Sequence, residues 1–213
     1  AAQMEAINHA GVAISKRAAA GRALVFASIG PSGKLLMDSD VTKGDMVNAF
    51  AAQAQALAAA GADALLIETM SDVAEAKLAL AAAKATGLPV IVSFAFDTGK
   101  QKDRTMMGST PEVVARAMEE AGADAVGANC GVGVPRFVAV CARLKESCGL
   151  PGWIKANAGL PEIKGDAVTY AMSPGFFASH YGALVAAGAS FVGGCCGTNP
   201  DFIRALCAVR SGA

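Results

Sequence analysis

Near the C-terminal end of the sequence, two cysteines stand side by side between glycines in Gly193-Gly194-Cys195-Cys196-Gly197-Thr198, directly after the apolar run Ala189-Ser190-Phe191-Val192. Adjacent residues of a strand project to opposite faces, so one core has no use for both side chains. Glycine on either side frees the backbone to abandon that alternation and turn both sulfurs toward one point. Two thiolates aimed at one point are donors for a soft divalent metal, above all zinc. A pair is only part of a site, and the remaining ligands must come from elsewhere in the chain.

The six cysteines do not describe a disulfide framework. Cys130, Cys195 and Cys196 end apolar, strand-like runs, whereas Cys141, Cys148 and Cys207 fall in helical or connecting stretches and read as small core residues. An alanine-rich α/β chain with no secretion pattern reads as cytoplasmic, where thiols stay reduced. His9 and His180 lie in helix-like stretches and make poor ligands, and no paired CxxC motif builds a closed structural zinc site. With 213 residues, 54% of them hydrophobic and 17% charged, the chain fits one domain with a sizeable core and is not disordered. A formal net charge of zero without a basic block argues against nucleic acid and anionic membranes as main partners. No apolar run reaches the roughly 18 residues of a membrane span.

What must position these residues is a repeated unit: a short apolar run, a turn, then a longer stretch with apolar residues three and four apart. Strands are expected at 23–29, 62–69, 89–96, 123–129, 153–157 and 190–194. Helices are expected at 3–20, 46–60, 73–85, 112–121, 135–147 and 174–187, with Asn199-Pro200-Asp201 opening a last one. Three helices end in nearly the same signature, Ala60-Gly61-Ala62-Asp63-Ala64, Ala121-Gly122-Ala123-Asp124-Ala125 and Ala187-Gly188-Ala189-Ser190. In each, a glycine stop leads straight into the next strand.

Strands alternating with helices imply parallel pairing and right-handed crossovers, in a doubly wound sheet or a (β/α)8 TIM barrel. The barrel is favoured because no Gly-x-Gly-x-x-Gly opens the first strand–helix turn. Polar or unusual residues also gather at the C-terminal ends of several strands: Ser28, Glu68-Thr69, Asp97, Asn129-Cys130, Asn157 and Cys195-Cys196. Barrel enzymes build their sites at that edge. Six βα units are visible, so the first two strands of a full barrel would precede residue 1. The sequence opens Ala-Ala-Gln inside what reads as a helix, and 1–213 is expected to be one barrel domain from a longer chain.

Counted that way, Cys130 ends the sixth strand and Cys195-Cys196 the eighth. Alternate strands fill the same layer of a barrel interior, which puts Cys130 level with the pair. The strand between them ends Lys155-Ala156-Asn157, with the Asn157 amide near the gap. Taken alone, Cys130 reads as well as a core residue as a ligand. Level with the pair, it completes a three-thiolate set with an open fourth position, the form of a catalytic zinc site. A net charge of about −1 would let such a site deprotonate a bound thiol yet leave it electron-rich, which suits a thiol nucleophile better than water. Glu68 ends the apolar run Ala64-Leu65-Leu66-Ile67, where a buried carboxylate needs a cation. The ammonium of an amino acid would supply one; a solvated loop carboxylate is the plainer alternative. Asp72 and Asp97 read as cap or turn residues, and Ser32-Gly33-Lys34 lacks the spacing of a phosphate loop.

Asn129-Cys130 and Gly193-Gly194-Cys195-Cys196-Gly197-Thr198 resemble the two zinc signatures of the homocysteine S-methyltransferase family. Ser28-Ile29-Gly30-Pro31-Ser32-Gly33, Ile67-Glu68-Thr69 with Ser71-Asp72, and Asn157-Ala158-Gly159 resemble further segments of it, in particular of the homocysteine-binding module of cobalamin-dependent methionine synthases. The likeness runs over essentially the whole chain. It implies a methyltransferase of methionine biosynthesis, with zinc held by Cys130, Cys195 and Cys196 and homocysteine sulfur as substrate ligand. It also implies a substrate site that includes Asn129, with Glu68 binding the substrate's amino group and Asn157 able to take the metal's free position when substrate is absent. The implied methyl donor is methylcobalamin or another methyl-corrinoid held by a different domain or chain, since no Asp-x-His-x-x-Gly segment occurs; betaine and S-methylmethionine serve relatives. Family members begin with two further strands carrying an Asp-Gly-rich segment that helps grip homocysteine, and this sequence does not contain it. Two alternatives accompany the reading: a non-catalytic zinc-thiolate module, and zinc-dependent methyl transfer to another thiol such as coenzyme M.

Overall fold

The computed structural model describes residues 2–36, 41–165 and 167–212. Helix α1 (Ala2–Ala19) leads into β1 (Phe26–Ile29), and helices and strands then alternate as α2 (Lys43–Ala59), β2 (Ala64–Met70), α3 (Val73–Lys84), β3 (Val90–Phe94), α4 (Pro111–Glu120), β4 (Ala125–Cys130), α5 (Val134–Ser147) and β5 (Gly152–Ala156). A hairpin of β6 (Pro161–Lys164) and β7 (Ala167–Tyr170) and two short helices, α6 (Pro174–Ala178) and α7 (Tyr181–Ala186), precede β8 (Ala189–Gly194) and α8 (Pro200–Ser211). Helices begin where a side chain can accept from the free N–H groups of a first turn: Thr42, Asp72, Thr110, Ser173 and Asn199 all do so. Asp72, read as a cap or turn residue, caps α3, and Asn199 caps the last helix where the sequence allowed an Asn or Thr cap.

β1, β2, β3, β4, β5 and β8 pair in that order, all parallel. Alternation along the strands sends Leu65, Ile67, Val92, Val126 and Ile154 into the main core under the helices. Leu66, Ile91 and Ala125 form a second, smaller cluster with Phe26 and Trp153, built from strand residues alone. That face is concave. Phe26 of β1 stacks on Trp153 of β5 at 5.5 Å although three strands lie between them, and Trp153 meets Phe191 of β8 at 5.1 Å. A doubly wound sheet would carry helices there. Here the sheet curls into six strands of a (β/α)8 barrel wall, with a trough of about 1060 Å³ between the unpaired edges of β1 and β8.

Two local differences from the sequence reading are informative. The helix expected over 174–187 is two helices, broken where the Ser179 hydroxyl bonds back to the Phe176 carbonyl at 2.8 Å. Phe177 of α6 packs edge-on against Phe202 of α8, and Leu184 is the buried residue of α7. The β6–β7 hairpin was not anticipated, although Glu162-Ile163-Lys164 and Val168-Thr169-Tyr170 alternate around a Gly165-Asp166 turn signal. Among the described residues, no helix is long and apolar enough to cross a membrane.

Candidate metal centre

Cys130 is the last residue of β4, and its backbone is left-handed at φ 63°. Strand alternation would send its side chain toward the helices, opposite to Asn129; the left-handed turn brings the sulfur back over the rim of the barrel. Thr69, at the end of β2, makes the same excursion at φ 62°, which is rare for a β-branched residue. Its hydroxyl lies 4.0 Å from the Cys130 sulfur. On the other side, the Cys195 N–H donates to the Ala156 carbonyl at 2.8 Å, and Thr198 closes the turn by donating its hydroxyl to the Cys195 carbonyl at 2.7 Å. Gly197 sits inside this turn at φ 77°, and a Cβ there would fall within the ring of Tyr170 from the hairpin.

The Cys130 sulfur stands 3.3 Å from that of Cys195 and 3.9 Å from that of Cys196, and all three lie within 4.8 Å of one another. Zinc–sulfur bonds of about 2.3 Å in a tetrahedron place sulfurs about 3.8 Å apart, so the triangle fits zinc. All six cysteines are free, and among the described residues this is the one group of three potential ligands close enough to hold an ion. The hydrogen bond from Cys130 holds the Cys195 thiol below the ordinary thiol range, and the same bond, with burial, pushes Cys130 up. Burial, then the Cys195 charge, pushes Cys196 up. Three thiols this close cannot all ionise without a cation between them, which a divalent metal supplies.

Two asparagines hold the cysteine loops. Asn129 is fully buried; its amide oxygen accepts from the Thr69 N–H at 2.9 Å and the Ser93 hydroxyl at 2.7 Å. Its amide nitrogen donates to the Thr69 hydroxyl at 2.8 Å and toward the Cys130 sulfur at 3.4 Å. Asn157 joins the two cysteine loops. Its oxygen accepts from the Cys196 N–H at 2.9 Å, its side-chain nitrogen donates to the Gly131 carbonyl at 3.0 Å, and its backbone N–H donates to the Cys130 carbonyl at 3.1 Å.

Glu68 points into the concave face. Its carboxylate accepts from the Ser28 hydroxyl at 2.5 Å and from the Lys155 ammonium at 2.9 Å. The cation that this carboxylate requires is therefore present within the chain. The sequence placed Cys130, Cys195, Cys196, Asn129 and Asn157 at strand ends, and the fold brings all five together with Glu68 just below. Thr69 was noted at its strand end without a role, and Ser93, Lys155 and Tyr170 were not singled out. Lys155 carried a signal, since it is the one charge in β5 and alternates with Trp153 on the same face. Tyr170 became visible only with the hairpin.

A profile of the family described as homocysteine S-methyltransferase matches residues 1–210. A methionine synthase of Mycobacterium leprae (strain TN) is 30% identical over 191 residues, which are 86% of this chain and 16% of that protein. The methionine synthase of Mycobacterium tuberculosis (strain ATCC 25618 / H37Rv) matches to the same extent. The chain thus spans about one sixth of the length of these curated relatives. Among solved structures, the metallated form of the homocysteine methyltransferase MmuM from Escherichia coli is 26% identical with a TM-score of 0.73, covering 96% of this chain and 70% of that one. Its apo form superposes with a TM-score of 0.77 at 24% identity, over 98% and 74% of the two chains, and attests the fold.

Proposed function

The chain belongs to the homocysteine S-methyltransferase family, and from that premise we propose that it binds zinc through Cys130, Cys195 and Cys196 and methylates homocysteine on sulfur to give methionine. The observation that carries the reading is the convergence of three sulfurs within 4.8 Å from two strand ends that are 65 residues apart in sequence. When bound, the metal supplies the positive charge that keeps a substrate thiol deprotonated near neutral pH.

The chain's own residues do the positioning. Asn129 fixes the left-handed pair Thr69 and Cys130, and Asn157 ties the β4 and β8 loops together, so the three sulfurs keep their spacing. Glu68 receives the ammonium of homocysteine from the concave side. Asn157, whose side-chain oxygen accepts from the Cys196 N–H at 2.9 Å, would supply a bound zinc with a further ligand in the absence of substrate. The methyl group comes from a methyl-corrinoid carried by another domain or chain, a reading supported by the likeness to methionine synthases. Three unoxidised thiols at one point suit a reducing cytoplasm.

The test is zinc stoichiometry on the reduced chain, followed by zinc X-ray absorption with and without homocysteine. One zinc per chain is expected, with an added sulfur neighbour when homocysteine is present and loss of zinc in Cys195→Ser and Cys196→Ser. Zinc retained equally by both variants would overturn the site. Zinc whose coordination ignores homocysteine would instead favour the non-catalytic module, and preference for coenzyme M in thiol competition would move the acceptor.

A further inference from the structure

The concave face holds an ion pair that the thiol cluster does not explain. Lys155 of β5 reaches Glu68 of β2 at 2.9 Å, with the two side chains 24% and 18% exposed. Half-buried pairs of this kind contribute little net stability, because desolvation offsets most of the attraction. The surroundings are arranged for a ligand. Lys155 pairs in register with Asn129 on one side and Gly193 on the other, the residues one and two positions before the ligands Cys130 and Cys195. At about 3.3 Å per strand residue, the pair lies roughly one layer below the sulfurs. Gly193 contributes no side chain beside Lys155, and Lys155, Ser28 and Gly193 all line the trough. An ammonium has three N–H donors, and among the described residues Glu68 is the one acceptor Lys155 meets.

Resting on the homocysteine reading, we propose that Lys155 is the residue that takes the α-carboxylate of the substrate while Glu68 takes its α-ammonium. A zwitterionic amino acid carries adjacent charges of both signs, and the Glu68–Lys155 pair presents their complement. On binding, the internal pair opens and each member passes to the opposite charge of the ligand, so neither is left buried alone. The Ser28 hydroxyl keeps Glu68 oriented as Lys155 swings away. The arrangement selects free α-amino acid thiols against simple thiols, which gain nothing from separating the pair.

Calorimetric titration of the zinc-loaded chain tests this with three thiols: homocysteine, 3-mercaptopropylamine, which lacks the carboxylate, and 4-mercaptobutyrate, which lacks the ammonium. Wild type is expected to bind homocysteine about ten- to hundred-fold more tightly than 3-mercaptopropylamine, the range of one charge-assisted contact. In Lys155→Met that preference should collapse to within about threefold while 3-mercaptopropylamine still binds, which also shows that the site is intact. Lys155→Arg should restore the preference, and Glu68→Gln should erase discrimination against 4-mercaptobutyrate instead. Full preference for the carboxylate in Lys155→Met would overturn the role of Lys155 and leave the homocysteine reading standing. If Lys155→Met binds none of the thiols, Lys155→Arg decides: a restored preference supports the role and an absent one overturns it. Zinc-loaded wild type that takes up no homocysteine at all would sink both.

Discussion

Replacing Asn129 by alanine should weaken the metal centre more than any other change to a residue that is not itself a ligand. The substitution leaves the Ser93 hydroxyl, which is fully buried, without its acceptor at 2.7 Å. A buried polar group left unpaired costs about 1–3 kcal/mol. The Thr69 N–H loses its acceptor as well, but it lies nearer solvent, and water should limit that loss to about 1 kcal/mol. The sum is about 3 kcal/mol, which for a chain of this length lowers the thermal midpoint by about 6–12 °C. A second effect concerns the metal alone. Thr69 and Cys130 are both left-handed, and each such residue costs roughly 1–2 kcal/mol over a right-handed one. Asn129 bonds to both, so without it they relax and carry the Cys130 sulfur away from its partners. Zinc affinity should fall by about 10–100-fold, the range for residues that orient metal ligands. Equilibrium urea unfolding of the reduced, metal-free chain measures the first effect, and chelator competition for zinc measures the second. Unfolding within about 1 kcal/mol of wild type, together with unchanged zinc affinity, would refute the assignment of Asn129 as the clamp on both strand ends.

Three further outcomes are expected. Gly127→Ala places a Cβ against the Trp153 backbone carbonyl in the middle of the sheet and should destabilise by about 3 kcal/mol or more, whereas Gly182→Ala, with open space in α7, should stabilise by up to about 1 kcal/mol; urea midpoints separate the two. Glu75 is buried and accepts from both the Ser32 N–H at 2.7 Å and the Ser32 hydroxyl at 2.6 Å, so Glu75→Ala should free the loop after β1 and speed trypsin cleavage at Lys34 by about tenfold. Arg143 clamps Glu112 of α4 and Asp103 of the preceding loop, and its hydrogen bond holds the Glu112 carboxyl at about 2 against an ordinary 4.5. A carboxyl depressed in the folded state contributes stability above its unfolded pKa and loses it as pH falls through the folded value. Unfolding free energy should therefore decline from about pH 5 down to about pH 2, and the decline should be shallower in Arg143→Met across a pH series of urea midpoints.

The grouping of the three cysteines was legible in the sequence because it depends on local pattern. Glycines beside Cys195 and Cys196 announce a backbone leaving strand geometry, and the repeat of strand, turn and helix orders the strand ends along one rim. On a barrel so ordered, Cys130 falls level with the pair, and the left-handed turn at Cys130 brings its sulfur to 3.3 and 3.9 Å from theirs. Helix caps such as Asp72 and Asn199 were equally readable, since a cap and its N–H lie two residues apart. Only tertiary structure decided what each polar side chain meets. Glu68 called for a cation, but nothing in the local sequence selects Lys155, 87 residues away, over a substrate ammonium. Asn129 and Asn157 were placed near the site, yet their grip on Thr69 and Cys196 spans 60 and 39 residues. The left-handed turns at Thr69 and Cys130 oppose local preference and persist because those distant contacts hold them. Local preference sets where strands and helices begin and end; partners brought together by the curl of the sheet set the angles and charges inside.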